Sequence, residues 1–223
     1  MPSRARPFPE VRRDRTNVRS LPFSPAAERN RIPIGDALQP HLVRGARVLE
    51  FGAGAGQHAC HVAAARPDVS WLATDRAEAL PGLSACIQAA ALANLETPVA
   101  LDLLDPATQQ FIVPGSRDLC FAANVLHIAP VDAVAALFGI AAHALGERGA
   151  LCLYGPVTLD GRYTSDGNEA FDRALREQDE RRGVRDTVDL DRWARATGFG
   201  PAALEPLPSG NHLMVWQRGI PAA

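Results

Sequence analysis

Val48 to Ala59, VLEFGAGAGQHA, sets three glycines at alternate positions directly after a short apolar run that closes on a carboxylate. Glycines there let the backbone pass close beneath a bound ligand with no Cβ in the way. Two ligands compete for such a loop. A dinucleotide fingerprint needs GxGxxG, and counting from Gly52 and Gly54 its third glycine falls on Gln57. Glu50, two residues before Gly52, would repel a pyrophosphate held by the loop amides, whereas it suits a ligand carrying an ammonium and a sulfonium group. The pattern therefore favours S-adenosylmethionine (SAM) over NAD, with Glu50, Gly52, Ala53, Gly54 and Gly56 as the first cofactor-binding candidates.

Later residues extend the set. Asp75 lies 25 residues after Glu50, where an acid can accept both ribose hydroxyls; its plainer reading is a helix N-cap. Asp102 closes another apolar run and Leu103 follows, a carboxylate for an adenine amino group beside an amide for a ring nitrogen. In FAANVLHIAP, Asn124 can bond the ligand's amino group or serve as a turn residue. His127, three residues on, falls where the site should open toward substrate, unless it is a core or surface imidazole.

These residues need strands that end together. RVLEF (47–51), VSWLAT (69–74), PVALD (98–102), DLCFAA (118–123) and ALCLYG (150–155) read as strands. Helical patterns fall near 57–66, 78–93 and 131–145. Strand and helix alternating at this spacing predict parallel βαβ crossovers. Ser24 and Pro25 open one or two short helices. A polar loop is expected over 156–167, helices near 168–180 and 189–197, and two last runs, AALEP and HLMVW, the final one antiparallel. The expected fold is α/β: a doubly wound, seven-stranded, mostly parallel Rossmann-like sheet, with ligand chemistry outside the carboxyl ends of its strands.

The 223 residues suit one domain. Residues 1–23 read as a flexible Arg-rich tail and 24–220 as the domain. Within it, 24–45 forms a helical cover and 156–186 a substrate loop and helix insertion. All 23 basic residues are Arg, and the net charge of −2 gives no basic footprint for nucleic acid. Cys60, Cys86, Cys120 and Cys152 lack metal-ligand spacing and read as reduced core residues. His58, Cys60 and His61 resemble a metal cluster, but only the two histidines share a helix face, so no metal is expected. No signal core precedes the domain, which points to the cytoplasm, and the longest apolar segment, holding Asp132 and His143, is too short to span a membrane. Nothing in the sequence sets an oligomeric state.

By the order of these motifs the chain resembles class I SAM-dependent methyltransferases over about 45–220. More narrowly it resembles the methyltransferase-like protein 26 family, through SPAAERNRIPI (24–34), GQHA (56–59), HIAP (127–130), YGP (154–156), GRYTSDGNEAFD (161–172) and GVRD (183–186). It departs from that family where Ala53 and Ala55 replace a smaller hydroxyl residue in the loop. It departs again where SGNH keeps Asn211 of an asparagine pair and has His212 in place of the other. The resemblance implies methyl transfer from SAM, leaving S-adenosylhomocysteine (SAH), to an acceptor that it does not identify.

Methyl transfer is an in-line displacement that rests on alignment in a dry site, and a general base is needed only if the acceptor must lose a proton. His127 is the first candidate, then Tyr163 and Asp166. Arg29 or Arg31 can grip a carboxylate of the cofactor or the substrate. Tyr154, Asn168, Asn211 and His212 complete the substrate-side candidates, with Arg31 assigned to the cofactor and Arg29 to the substrate. The expected acceptor is a small molecule, since ANVLH lacks the motif of base-amine methylation. The alternatives are an NAD-linked oxidoreductase and a methyltransferase-like module that binds cofactor but serves a partner.

Overall fold

The computed structural model describes residues 21–219; the Arg-rich run up to residue 20 lies outside them. Five apolar runs form β1 (Arg47–Phe51), β2 (Ser70–Asp75), β3 (Val99–Ala100), β4 (Arg117–Ala123) and β5 (Leu145–Leu159). Four more strands follow: β6 (Arg162–Tyr163), β7 (Arg185–Asp186), β8 (Ala203–Leu207) and β9 (Asn211–Gln217). The helices are α1 (Pro25–Leu38), α2 (Gln57–Ala65), α3 (Leu80–Ala90), α4 (Val131–Ala144), α5 (Asp166–Gln178) and α6 (Thr187–Ala196). The sheet runs β3-β2-β1-β4-β5-β9-β8, with β6 and β7 paired to β5. Pairing is parallel from β3 to β5, and β9 is antiparallel to both β5 and β8.

Strand alternation divides the core between two faces. Val48, Trp71, Phe121 and Cys152 pack under α1, α2 and α3, whereas Leu49, Leu72, Cys120 and Leu151 meet α4 and α6 on the other side. Covered on both faces, these strands carry continuous apolar runs, as a parallel sheet requires.

Three elements differ from the sequence expectation. The opening segment holds two helical pieces, as expected, but the first is 14 residues long and continues through Pro33, because Ile34, Ala37 and Leu38 beyond it are buried against the sheet, and a single 3-10 turn follows at 39–41. Ser24 caps the first, its hydroxyl accepting from the Ala27 amide at 3.2 Å. The third strand shrinks to two paired residues, although the Leu101 amide still donates to the Asp75 carbonyl at 2.8 Å. Most different is the expected polar loop after Gly155. There β5 runs on to Leu159 and turns back as β6, and Asp186 fastens the turn by accepting from the Thr158 hydroxyl (2.6 Å) and the Gly161 amide (2.7 Å). That anchor is 25 residues downstream of Gly161, so local sequence pattern does not show it.

Candidate active site

The carboxyl ends of β1, β2 and β4 and the turn after β3 surround a crevice of about 490 Å³. Gly52, Ala53 and Gly54 line it from the glycine loop, Asp75 from the end of β2, Asp102 and Leu103 from the turn after β3, and Asn124 from the exit of β4. Each strand delivers its residue at the point where backbone pairing stops, which is why residues up to 72 positions apart in sequence meet.

The loop is shaped by backbone requirements. Gly52 has φ +64°, and a Cβ on it would stand 2.7 Å from Val125 Cγ2, so this position needs glycine for conformation and space. Asp75 braces the loop from across the crevice, one carboxylate oxygen accepting from the Gly54 amide at 2.7 Å and the other from the Arg76 amide at 2.7 Å. A carboxylate has about four lone-pair sites, so Asp75 keeps acceptor capacity toward the crevice. Asn124 takes a left-handed backbone (φ 61°), and its amide donates to the Tyr154 carbonyl at 2.8 Å. It is therefore a turn residue and a crevice residue at once.

Three cofactor candidates do not face the crevice. Glu50 points into the α1–α3 side of the sheet at 1% exposure, where one oxygen accepts from the Trp71 indole at 2.8 Å and the other is 3.9 Å from His58 Nδ1. Burial pushes its carboxyl up to about 8, against the Trp71 hydrogen bond and with help from the Asp75 charge. Turned away from the crevice toward Trp71 and His58, it forms an internal tie, which corrects the expected direct contact with an ammonium group. Gly56 begins α2 with φ +71°, and a Cβ there would press on Leu83 at 2.9 Å; its glycine serves helix packing. Arg31 turns toward α2, pairing with Glu28 at 2.9 Å and meeting His61 Nδ1 at 3.0 Å.

The catalytic candidates fare similarly. His127 is 4% exposed inside the wall, edge-on to Phe171 with ring centroids 5.1 Å apart, and close to Gly155, where an added Cβ would stand 3.4 Å from its Nδ1. Burial first, then the Arg185 charge, lowers it to about 4. It is a neutral wall residue, and the expectation that it faces the open mouth is corrected. Tyr163 borders a separate hollow of about 440 Å³ with Arg176 and Trp193, and its hydroxyl donates to Asp172 at 2.7 Å. Asp166 is exposed in the first turn of α5.

The substrate-side candidates divide. Tyr154 is buried, with the Asn30 and Asn211 amides against its hydroxyl. His212, half-buried on β9, adjoins Asn211, and burial lowers its pKa. Asn168 holds the loop before β9 by donating to the Gly210 carbonyl at 2.9 Å and the Thr164 hydroxyl at 2.8 Å, a structural role. Arg29 is exposed and does not line the crevice.

Ser24 and Ala27 of the α1 cover line the crevice. Two further lining residues, Ile128, half-exposed at the mouth, and Arg182, had no crevice role in the sequence reading. His58, dismissed above as a metal ligand, also lines the crevice, and its Nε2 lies 2.9 Å from Asn30 Oδ1. Burial and the neighbouring His61 lower His58 to about 4, so it is neutral at pH 7 and donates to Asn30. The GQH run after the glycines was the available signal for His58; Arg182 had none, because its segment reaches the crevice only in the folded chain. Among the described residues no cluster of three or more metal-ligating side chains occurs, and no helix is long and apolar enough to cross a membrane.

Strand order, the antiparallel β9 and a crevice at the carboxyl ends of the strands define the Rossmann-like fold of class I methyltransferases. The chain belongs to the family described as "Protein of unknown function (DUF938)", which matches residues 21–218. Its structure is similar to that of the SAM-dependent methyltransferase SibL in its apo form (TM-score 0.71, 22% identity, covering 87% of this chain and 56% of that one). It is also similar to an O-methyltransferase family protein from Burkholderia thailandensis (TM-score 0.73, 20% identity, 86% and 57%). A third similar structure is human N-acetylserotonin methyltransferase in complex with SAM (TM-score 0.70, 15% identity, 87% and 53%). At these identities the likeness is one of fold, and the chain spans just over half the length of each of these proteins.

Proposed function

We propose that this protein is a SAM-dependent methyltransferase acting on a small-molecule acceptor. One observation carries the reading: Asp75, Asp102 and the Gly52–Gly54 backbone converge on one crevice beside strands in the order β3-β2-β1-β4-β5-β9-β8. A dinucleotide fold has the order 3-2-1-4-5-6 without an inserted antiparallel strand. With Glu50 withdrawn into the wall, the choice against NAD rests on this order and on Gln57 in place of the third glycine. The narrower resemblance to the methyltransferase-like protein 26 family is part of the same proposal, supported by the motifs quoted above.

The donor set fits the cofactor. Asp75 has lone pairs for ribose hydroxyls, Asp102 and Leu103 offer a carboxylate and a backbone amide for adenine, and Gly54, where a Cβ would meet nothing within 4 Å, leaves room beside the loop. When bound, SAM supplies an electrophilic methyl group. The chain's part is then to orient the acceptor and exclude water, with Ser24 and Ala27 at the start of α1 on one side and Arg182 on the other. A side chain need take a proton only if the acceptor loses one as it attacks, and His127, enclosed in the wall, does not line the crevice to do so. The likeness to N-acetylserotonin methyltransferase, named for a small molecule, supports a small acceptor.

Calorimetry tests the reading. SAM and SAH are expected to bind, and NAD to bind at least about tenfold more weakly, a difference of about 1.4 kcal/mol. Equal or tighter NAD binding would return the chain to the dinucleotide class.

A further inference from the structure

Two arginines line the crevice, the exposed Arg76 and the partly enclosed Arg182. Its neighbours are all satisfied: Arg176 pairs with Asp172, Arg181 with Asp179, and Arg185 donates to the carbonyls of Leu126, Ala129 and Arg181. Arg182 lines the crevice, yet its Nε is shut off from solvent and has no hydrogen-bond partner among the described residues. Asp179, an acid whose charge reaches Arg182, already has both oxygens on Arg181, at 3.1 and 2.9 Å. The enclosed Nε cannot meet a ligand in the crevice, but the two terminal nitrogens of Arg182 are not shut off in this way and have no hydrogen-bond partner among the described residues either.

The position of Arg182 is fixed. The Gly183 amide donates to the His127 carbonyl at 3.0 Å, and Arg185 grips the Leu126 and Ala129 carbonyls at 3.0 and 2.8 Å. Residues 181–183 are thus strapped over the wall that follows β4, where Ile128 presents a half-exposed apolar side chain to the same crevice. Asp75, Asp102 and the glycine loop, the groups suited to the cofactor, come from the ends of the sheet strands, whereas Arg182 comes from the segment added between β5 and α6. A planar guanidinium matches a carboxylate through two parallel hydrogen bonds.

We propose, resting on the methyltransferase reading, that Arg182 binds the carboxylate of the methyl acceptor, which is a small carboxylic acid with an apolar body that packs on Ile128. Arg182 is then a specificity-determining residue.

Benzoate and its neutral analogue benzamide are the probes, titrated by calorimetry and ligand-observed NMR into the SAH-loaded protein. Benzoate is expected to bind about tenfold or more tightly than benzamide, and Arg182→Met to remove that preference while leaving SAH affinity unchanged. Unchanged SAH affinity also shows that the variant is folded. Arg76→Gln, which alters the exposed arginine that also lines the crevice, is expected to keep the preference. Benzoate binding that is absent, or equal in the wild type and Arg182→Met, overturns the proposal. So does a loss of SAH affinity in a folded Arg182→Met, because the arginine would then serve the cofactor. If the wild type itself does not bind SAH, the methyltransferase reading falls and takes this inference with it; normal SAH binding with benzoate indifferent to Arg182 removes this inference alone.

Discussion

Asp75 carries two loads. Its oxygens accept from the Gly54 and Arg76 amides and so hold the glycine loop against β2, and they are also the acceptors placed to meet ribose hydroxyls. Asp75→Ala is expected to weaken SAH binding by about 1.5–3 kcal/mol, the scale of hydrogen bonds to a charged group. Asp75→Asn, which keeps one acceptor oxygen, should recover part of the loss. Calorimetry on both variants decides it, and an unchanged dissociation constant in Asp75→Ala would leave Asp75 as a loop brace alone. At this scale the sequence was legible wherever a residue's place at a strand end fixes its direction: Asp75, Asp102, Leu103 and Asn124 all reach the crevice. It was not legible where direction depends on the alternation of a buried strand. Glu50 lies one position before Phe51, and that single step sends its carboxylate to Trp71 on the opposite face from Phe51's packing partners. His127 shows the same limit, since only the tertiary packing of Phe171 and Gly155 reveals that it is enclosed.

Helix α1 is held to α2 by polar contacts over its first half and by apolar burial over its second. Gln57 bridges its start, accepting from the Ser24 amide at 2.7 Å and donating to Glu28 at 2.9 Å; His58 meets Asn30 and His61 meets Arg31. Ile34 and Leu38, both at 0% exposure, anchor the far end. Gln57→Ala is therefore expected to loosen the half that carries Ser24 and Ala27 without unfolding the other half. Hydrogen exchange measures this directly: amides of residues 28–31 should exchange faster while those of 35–38 keep their protection. Uniformly faster exchange along the helix would mean that α1 docks as one unit. The sequence displayed the helix through its Ser-Pro start and displayed most of the sheet through apolar runs. It did not display the docking, because contacts such as Ser24 with Gln57 span 33 residues and follow no period. The extension of β5 into β6 and β7 was hidden for the same reason, its pairing partners arriving from residues 162–163 and 185–186.

At the scale of the whole molecule, buried groups that avoid charge set opposing limits on stability. His58 and His127 are held to about 4, so as pH falls through the ordinary histidine value of 6.5 the unfolded chain takes up protons that the folded chain refuses. Stability is then lost from pH 6.5 down to about 4, and His41, His61 and His212, also lowered by burial, act in the same direction. Glu50 does the reverse. Its folded carboxyl keeps a proton up to about 8 while the unfolded one gives it up near 4.5, so stability falls as pH rises through that window. Each such group tilts stability by up to about 1.4 kcal/mol per pH unit. Below pH 6.5 the two enclosed histidines outweigh the single glutamate; between pH 6.5 and 8 the glutamate dominates, and the buried cysteines, raised by burial, add to it only at more alkaline pH. Thermal or urea unfolding of the wild type should accordingly show greatest stability near pH 6.5 and a decline toward pH 8. Glu50→Gln keeps an oxygen for the Trp71 indole and cannot ionise, so its stability should stay level between pH 6.5 and 8 and its advantage over the wild type should widen across that range. A wild type that holds constant or gains stability over that interval would show that Glu50 is already ionised in the fold, and would restore a charged carboxylate beneath the glycine loop.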